Sequence, residues 1–599
     1  MRWFVALCIS WTVVVCGVWG DTKCHPVFIG GIMKYIECQN VVSIDEVLAE
    51  LQPEWVSVTV VNSPTEIFSM VGEVLSKNSL INIEDIDLSN SGTLDIREPY
   101  FREYLNLNRL NISSTKVLNL GPNWFGRLNF LERLDASSNK ISEITRSYFV
   151  NTTKLQRLWL QNNEIKLIEL DSFKDLRRLE FLDLSYNRLT RGELGAIPAL
   201  KKLLAKKNLI TTLTPNAFLK MPELEYIDLS ANIITSLREK TFTGLANLRE
   251  INLSDNAINE LLSFTFYGLA NARIAKIDIS RNHIHSIHRD AFEGLGLLMN
   301  LDLSQNTLTE LDDFTFFGMA ALKDLNLSGN RINEIRSNAF ATLPSLEILD
   351  LTHNALDTIK SDIFGKTGAN LKKLLLKNNQ LVQINGNAFR TLISLEILNL
   401  DFNRLQFFEE NVFRTLRRLR VLHINNNGIE YLSGSHFDNL LDLSELYMHS
   451  NRISYFPNST NTFPAEDNPW QCVCLNRFLN WASMRGIHYV KEKYNGKRPV
   501  CVAVISGCVH DIALVRIKLS KITAEDNPWQ CVCLNRFLNW ASMRGIHYVK
   551  EKYNGKRPVC VAVISGCVHD IALVREKEVV KIYEEALFQY LRTTYTGGE

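Results

Sequence analysis

One 24-residue unit recurs along this chain, and it is clearest in the copy that starts LEILDLTHN at Leu346. Its template is L-x-x-L-x-L-x-x-N-x-I-x-x-I-x-x-x-x-F. The ninth position is asparagine at Asn139, Asn163, Asn187, Asn208, Asn232, Asn256, Asn282, Asn306, Asn330, Asn354, Asn379, Asn403, Asn427 and Asn451. Thr115 and Ser91 hold it in the two preceding copies, so the array counts about sixteen copies over residues 83–461. A second column keeps the same period: Phe101, Phe125, Phe149, Phe173, Phe218, Phe242, Phe266, Phe292, Phe316, Phe340, Phe364, Phe389, Phe413 and Phe437.

A period of this length means stacked units, because no single copy can bury its own apolar row. In the L-x-L stretch side chains alternate, which turns positions four and six inward and position five outward. Stacked as parallel strands about 4.8 Å apart, the copies form one core and a strand face roughly 75 Å along its arc. The ninth-position amide has two donors and an acceptor with which to satisfy turn backbone in its own and adjacent copies. Removing one leaves buried groups unpaired, at about 1–3 kcal/mol. Ser91 and Thr115 supply only part of that bonding. The phenylalanine column is read as core filling on the opposite side.

Two columns with one period resemble the leucine-rich repeat family. The resemblance implies an α/β solenoid, a horseshoe with a parallel concave β-sheet and disulfide-locked terminal caps. Function in such a fold belongs to the strand face rather than to the repeat itself.

In chain order, residues 1–20 read as a secretory signal peptide: Arg2, an apolar run from Trp3 to Val18, and Gly20 at the end. No other stretch is long and apolar enough to span a bilayer, which points to a secreted, extracellular chain. With 66 basic against 65 acidic residues, the net charge of +1 gives no global field for nucleic acid or an anionic membrane. Cys8 and Cys16 leave with the signal peptide, and the other ten cysteines lie at the two ends of the array, as suits an oxidising compartment.

Cys24 and Cys38 are paired in an N-terminal cap, residues 21–82, which holds a helix-like stretch from Ile44 to Leu51 and a strand-like one from Trp55 to Val61. Residues 55–82 also read as a degenerate first copy. Residues 462–516 form a second cap, whose N-P-W-x-C-x-C pattern resembles the C-terminal flanking domain of extracellular repeat proteins. Four cysteines admit three pairings. The resemblance implies Cys472 with Cys501 and Cys474 with Cys508. Ala465 to Arg516 recurs without a substitution as Ala524 to Arg575 after the linker 517–523, so the same pairing falls on Cys531 with Cys560 and Cys533 with Cys567. An open solenoid has one C-terminal end to cover, which makes the second copy, 524–575, a neutral duplication, a gene-model artefact or a satellite. Residues 576–599 read as a charged helical tail.

No catalytic constellation stands out, and the chain is read as a non-enzyme without cofactor. His283, His285 and His288 fall in one descending loop and read as solvated. The fifth-position acids Asp135, Asp183, Asp228, Asp278, Asp302 and Asp350 read as solvated surface of little energetic weight. The copy around Asn208, only 21 residues long, departs from its neighbours with Lys201, Lys202, Leu204, Lys206 and Lys207 facing outward. Adjacent copies add Arg157, Trp159, Phe181, Tyr186 and Tyr226, and basic plus aromatic groups on one face make a candidate protein-binding surface. Phe402, His423, Tyr447 and His449 make a second one. Sequons stand at Asn111, Asn151, Asn252, Asn326 and Asn458. Asn111, Asn252 and Asn326 occupy the outward fifth position, so glycans there leave 157–226 as an open window.

The secreted solenoid with one N-terminal cysteine pair, a four-cysteine cap and a helical tail resembles the insect, especially mosquito, leucine-rich immune proteins. That implies a recognition role in innate immunity, with a complement-like thioester protein or another leucine-rich repeat protein as partner. An adhesion or receptor-ligand module in development, similar to Toll-like or guidance ectodomains, is the alternative, followed by an enzyme inhibitor.

Overall fold

The computed structural model describes residues 83–96, 104–122, 124–361, 363–432 and 434–453, with shorter stretches at 24–29, 32–39, 41, 43, 46–47, 57–61, 67–70, 469–470, 500–501, 528–530 and 559–561. The chain divides into two units, one of residues 1–308 with 315–322 and one of 309–314 with 323–599.

The first unit opens with an antiparallel pair, Cys24–Ile29 against Ile32–Gln39, whose register sets Cys24 opposite Cys38. A disulfide joins these two cysteines. Ile32–Gln39 pairs in parallel with Ser57–Val61, which pairs with Asp85–Asp87. From there three-residue strands follow one per copy: Arg109–Asn111, Arg133–Asp135, Arg157–Trp159, Phe181–Asp183, Lys202–Leu204, Tyr226–Asp228, Glu250–Asn252, Lys276–Asp278 and Asn300–Asp302. The second unit repeats the pattern from Asp324–Asn326 through Ile348–Asp350, Lys373–Leu375, Ile397–Asn399 and Val421–His423 to Glu445–Tyr447. The chain is therefore a parallel-strand solenoid.

The burial of each strand follows from its alternation. In Ile348–Asp350 the central Leu349 is fully buried and both flanks are half-exposed. Asn354 supports the turn beyond it. Its Nδ2 donates to the Leu351 carbonyl of its own copy at 3.1 Å and to Leu327 of the copy before at 3.0 Å, while its Oδ1 accepts from the Ile332 amide at 3.0 Å. Asn163, Asn232 and Asn403 make the same contacts. Ser91 reaches a single carbonyl, that of Leu88, at 2.7 Å.

The phenylalanines stack behind the sheet. In the first unit Phe218, Phe242, Phe266, Phe292 and Phe316 follow one another at 5.9–6.3 Å between ring centroids. In the second, Phe340, Phe364 and Phe389 are spaced at 6.3 and 6.4 Å.

Among the described residues of 83–453 the return segments carry turns, two-residue strands and short 3-10 helices such as Arg146–Phe149 and Gly365–Asn370, so the expected solenoid is present with little helix. One expectation needs correction, the placing of the shortening. Strands Phe181–Asp183 and Lys202–Leu204 start 21 residues apart, and Lys202–Leu204 and Tyr226–Asp228 start 24 apart, so the short copy is that of Asn187. Its return segment has buried Leu194 six residues before Leu200, the spacing at which other copies have phenylalanine.

Of the predicted caps, Cys472, Cys474, Cys508, Cys531, Cys533 and Cys567 lie outside the described residues, as do Asn458, Phe101 and most of Ile44 to Leu51. What is described there is backbone: Pro469–Trp470 pairs in parallel with Val500–Cys501, and Pro528–Gln530 with Val559–Val561.

Candidate functional site

The strand ladder of the first unit brings six of the nine residues of the first candidate surface onto four neighbouring strands, and Tyr186, Lys206 and Lys207 lie just beyond two of those strands. Arg157, Phe181, Lys202 and Tyr226 stand in register in the third position, and Trp159, Asp183, Leu204 and Asp228 in the fifth. Trp159 and Phe181 lie 5.4 Å apart between centroids. The Lys202 ammonium lies 4.9 Å from the Tyr226 ring and 6.0 Å from that of Phe181. One turn further on, Lys207 lies 5.0 Å over the Tyr186 ring. A cation over an aromatic face is held there by the ring quadrupole. Trp159, Phe181, Leu204 and Tyr226 are half-buried, whereas Arg157, Tyr186, Lys202, Lys206 and Lys207 are exposed. Burial, with the charges of Asp228, Glu250 and Asp278 behind it, pushes the Tyr226 phenol up to about 12, so it stays a hydrogen-bond donor at any physiological pH.

Lys201 turns aside from this set. Its ammonium pairs with Glu180 at 3.0 Å, and that hydrogen bond raises its pKa. Among the described residues, Arg157, Lys202, Lys206 and Lys207 have no carboxylate within ion-pairing distance.

The acidic fifth column does more than face solvent, which corrects its reading as surface of little weight. Asp135, Asp183 and Asp228 each accept, at 2.9 Å, the backbone N–H of the serine two residues on: Ser137, Ser185 and Ser230. Asp278, Asp302 and Asp350 do the same for Ser280, Ser304 and Thr352 at 2.8–3.0 Å. Each carboxylate thus closes the turn that leads the chain into the core, as an Asx turn does. The sequon asparagines Asn111, Asn252 and Asn326 take the same place, accepting from Ser113, Ser254 and Ser328 at 3.0–3.1 Å. Asn151, by contrast, is exposed in a turn at φ 61°.

The second candidate surface lies in the second unit. His423 and Tyr447 stack at 4.4 Å with planes 4° apart. His423 Nδ1 lies 3.7 Å from a carboxylate oxygen of Asp401, whose other oxygen accepts the Asn425 N–H at 2.6 Å. Asn425 in turn accepts the His449 N–H at 2.9 Å, and Lys377 lies 5.2 Å over the Phe402 ring. Burial holds the His423 imidazole below its usual pKa despite Asp401 and Glu445.

Sequence reading overlooked Gln161, Lys377, Asp401 and Asn425. A signal was present: the seventh position is serine or threonine in ten copies from Ser89 to Thr352 and departs only at Gln161, Lys206, Lys377, Asp401, Asn425 and His449. The departures fall on the two candidate surfaces. Gln161 carries a cost, since its Oε1 is buried without a hydrogen-bond partner.

His283, His285 and His288 are exposed, and among the described residues no group of three or more His, Cys, Asp or Glu side chains is placed to hold a metal ion. Nor is any helix of the described residues long and apolar enough to cross a membrane.

A family profile described as leucine rich repeat matches residues 131–189, 198–258, 227–274, 272–332, 297–356, 320–367 and 369–429. The copies it matches are leucine-rich repeats. Solved structures share the solenoid. A leucine-rich repeat protein of Leptospira interrogans is 24% identical, with a TM-score of 0.50, over 62% of this chain and 93% of that one. The glycosylated Toll–Spatzle complex of Drosophila contains a chain that is 18% identical, with a TM-score of 0.55, over 82% of this chain and 71% of that one. At these identities the likeness is one of fold. No curated protein sequence matches the chain significantly.

Proposed function

We propose that this leucine-rich repeat protein is a secreted, non-enzymatic recognition protein that holds a protein partner on the strand face between Arg157 and Tyr226. The observation that carries the reading is the register of Arg157, Phe181, Lys202 and Tyr226 on neighbouring strands, with Trp159 packed on Phe181 and Lys202 poised over two rings. Aromatic and basic side chains grouped on a rigid exposed surface are the residue types that carry most binding energy at protein interfaces.

Secretion is supported by the apolar N-terminal run and by the Cys24–Cys38 disulfide, which needs an oxidising compartment. A place in innate immunity is supported by the resemblance to insect leucine-rich immune proteins. The Toll–Spatzle complex, a hub in Drosophila development and innate immunity, offers a case of this fold in a protein complex. A complement-like thioester protein or another leucine-rich repeat protein is the partner class this reading favours. The sequons frame the surface: Asn252 lies beside Asp228 in register, and Asn111 lies two strands before Trp159. Glycans on both would leave the strands between them open.

The test is crosslinking and capture from extracellular fluid with the full chain and with Trp159→Ala/Tyr226→Ala. Loss of the captured partner by about 2 kcal/mol or more of affinity is expected. An unchanged set of partners overturns the reading.

A further inference from the structure

We propose that the surface this patch recognises is an acidic segment of a protein, whose carboxylates pair with Arg157, Lys202, Lys206 and Lys207. The proposal rests on the reading of the strand face given above and adds the chemistry of the partner.

The pairing of charges along the strands of the first unit leads to it. Outside the patch several basic groups are matched by a carboxylate from the neighbouring copy: Arg109 with Asp85 at 3.5 Å, Arg249 with Glu225 at 3.4 Å, Lys276 with Glu250 at 2.6 Å and Arg281 with Asp255 at 2.7 Å. Within the patch Arg188 and Lys201 are matched in this way, by Glu164 at 3.2 Å and Glu180 at 3.0 Å, whereas Arg157, Lys202, Lys206 and Lys207 have no ion pair among the described residues. The nearby carboxylates of Asp135, Asp183 and Asp228 are already acceptors for their own turns. Four cations, Arg157 on one strand and Lys202, Lys206 and Lys207 on and just beyond another, are thus presented without an ion pair among the described residues.

The rings shape what they can accept. Phe181 and Tyr226 hold the Lys202 ammonium from below, and Tyr186 holds that of Lys207. An ammonium seated on a ring keeps N–H donors free on its outer side, where a carboxylate fits. Neighbouring strands lie about 4.8 Å apart, so an extended acidic segment running across them would meet Arg157 and, two strands on, Lys202. The half-buried Trp159, Phe181 and Leu204 add apolar area between the cations. That area favours a protein segment with apolar side chains among its acids over a purely ionic polyanion.

The experiment measures binding of the full chain to random poly(Glu,Tyr), with poly(Lys,Tyr), heparin and anionic phosphatidylserine vesicles as comparisons, at low and high salt. The variants are the charge reversal Lys202→Glu/Lys206→Glu/Lys207→Glu and the control Lys276→Gln, each checked by circular dichroism and thermal midpoint for an intact fold. Expected are salt-sensitive binding of poly(Glu,Tyr), weakening of about tenfold or more in the triple variant, no change in the control, and a gain of poly(Lys,Tyr) binding by the triple variant. Equal binding of poly(Glu,Tyr) by wild type and triple variant overturns the proposal, as does stronger binding to heparin or vesicles than to poly(Glu,Tyr). If the aromatic variants lose the natural partner while the triple variant retains it, the strand-face contact stands and the acidic assignment falls. If both variants retain it, both fall.

Discussion

The eighth residue of every copy from Asn90 to Ser450 sits in the left-handed region, with φ between 51° and 68°. Only there can a strand turn sharply enough to send the following asparagine into the core. For residues other than glycine the conformation costs roughly 1–2 kcal/mol, and the buried amide contacts of the ninth position offset it. Because the eighth side chain is thrown outward, the column accepts Tyr186, Lys207 and Phe402 without disturbing the core. The seventh position is different, since its side chain lies against the neighbouring copies. Gln161→Ala, which leaves no polar side-chain atom at this place, is expected to raise stability by about 1 kcal/mol by removing an unpaired buried acceptor. A higher urea midpoint for the variant bears this out, and a lower one contradicts it. The ladder asparagines were readable from sequence because an amide at a fixed period has few other uses. The aspartate column was misread, because an acid facing solvent and an acid closing a turn have the same periodicity.

Single strands of three residues hold little energy, and the element that matters is the ladder. Phe292 is fully buried between Phe266, at 5.9 Å and nearly parallel, and Phe316 at 6.3 Å. Phe292→Ala is expected to cost about 3–5 kcal/mol, because a ring held on both sides leaves a cavity that neither neighbour can fill. Thermal or urea unfolding reads the loss, and a cost under about 1 kcal/mol would show that the column is loosely packed. The phenylalanine period was visible in sequence. That turns and short 3-10 helices stand behind it was not, because turns and longer helices that place one ring inward share the same apolar spacing. The short copy was detected but assigned one copy too late, since counting from asparagine to asparagine does not say on which side of a strand the residues are missing.

At the scale of the whole molecule, the repeat explains the fold and its breaks point to function. Several copies match charges with their neighbours, and between Arg157 and Tyr226 the cations Lys202 and Lys207 lie on aromatic rings instead of on carboxylates. The composition of this patch could be read from sequence, whereas its register, the rings beneath Lys202 and Lys207, and the commitment of the nearby aspartates required coordinates. The central claim is that this patch is where a partner docks. Lysine acylation followed by mass spectrometry, on the full chain alone and in extracellular fluid, tests it most directly. Lys202, Lys206 and Lys207 should lose reactivity in the fluid while Lys276, paired with Glu250 outside the patch, keeps it. Full reactivity of the three patch lysines, or equal protection of all four, would contradict it.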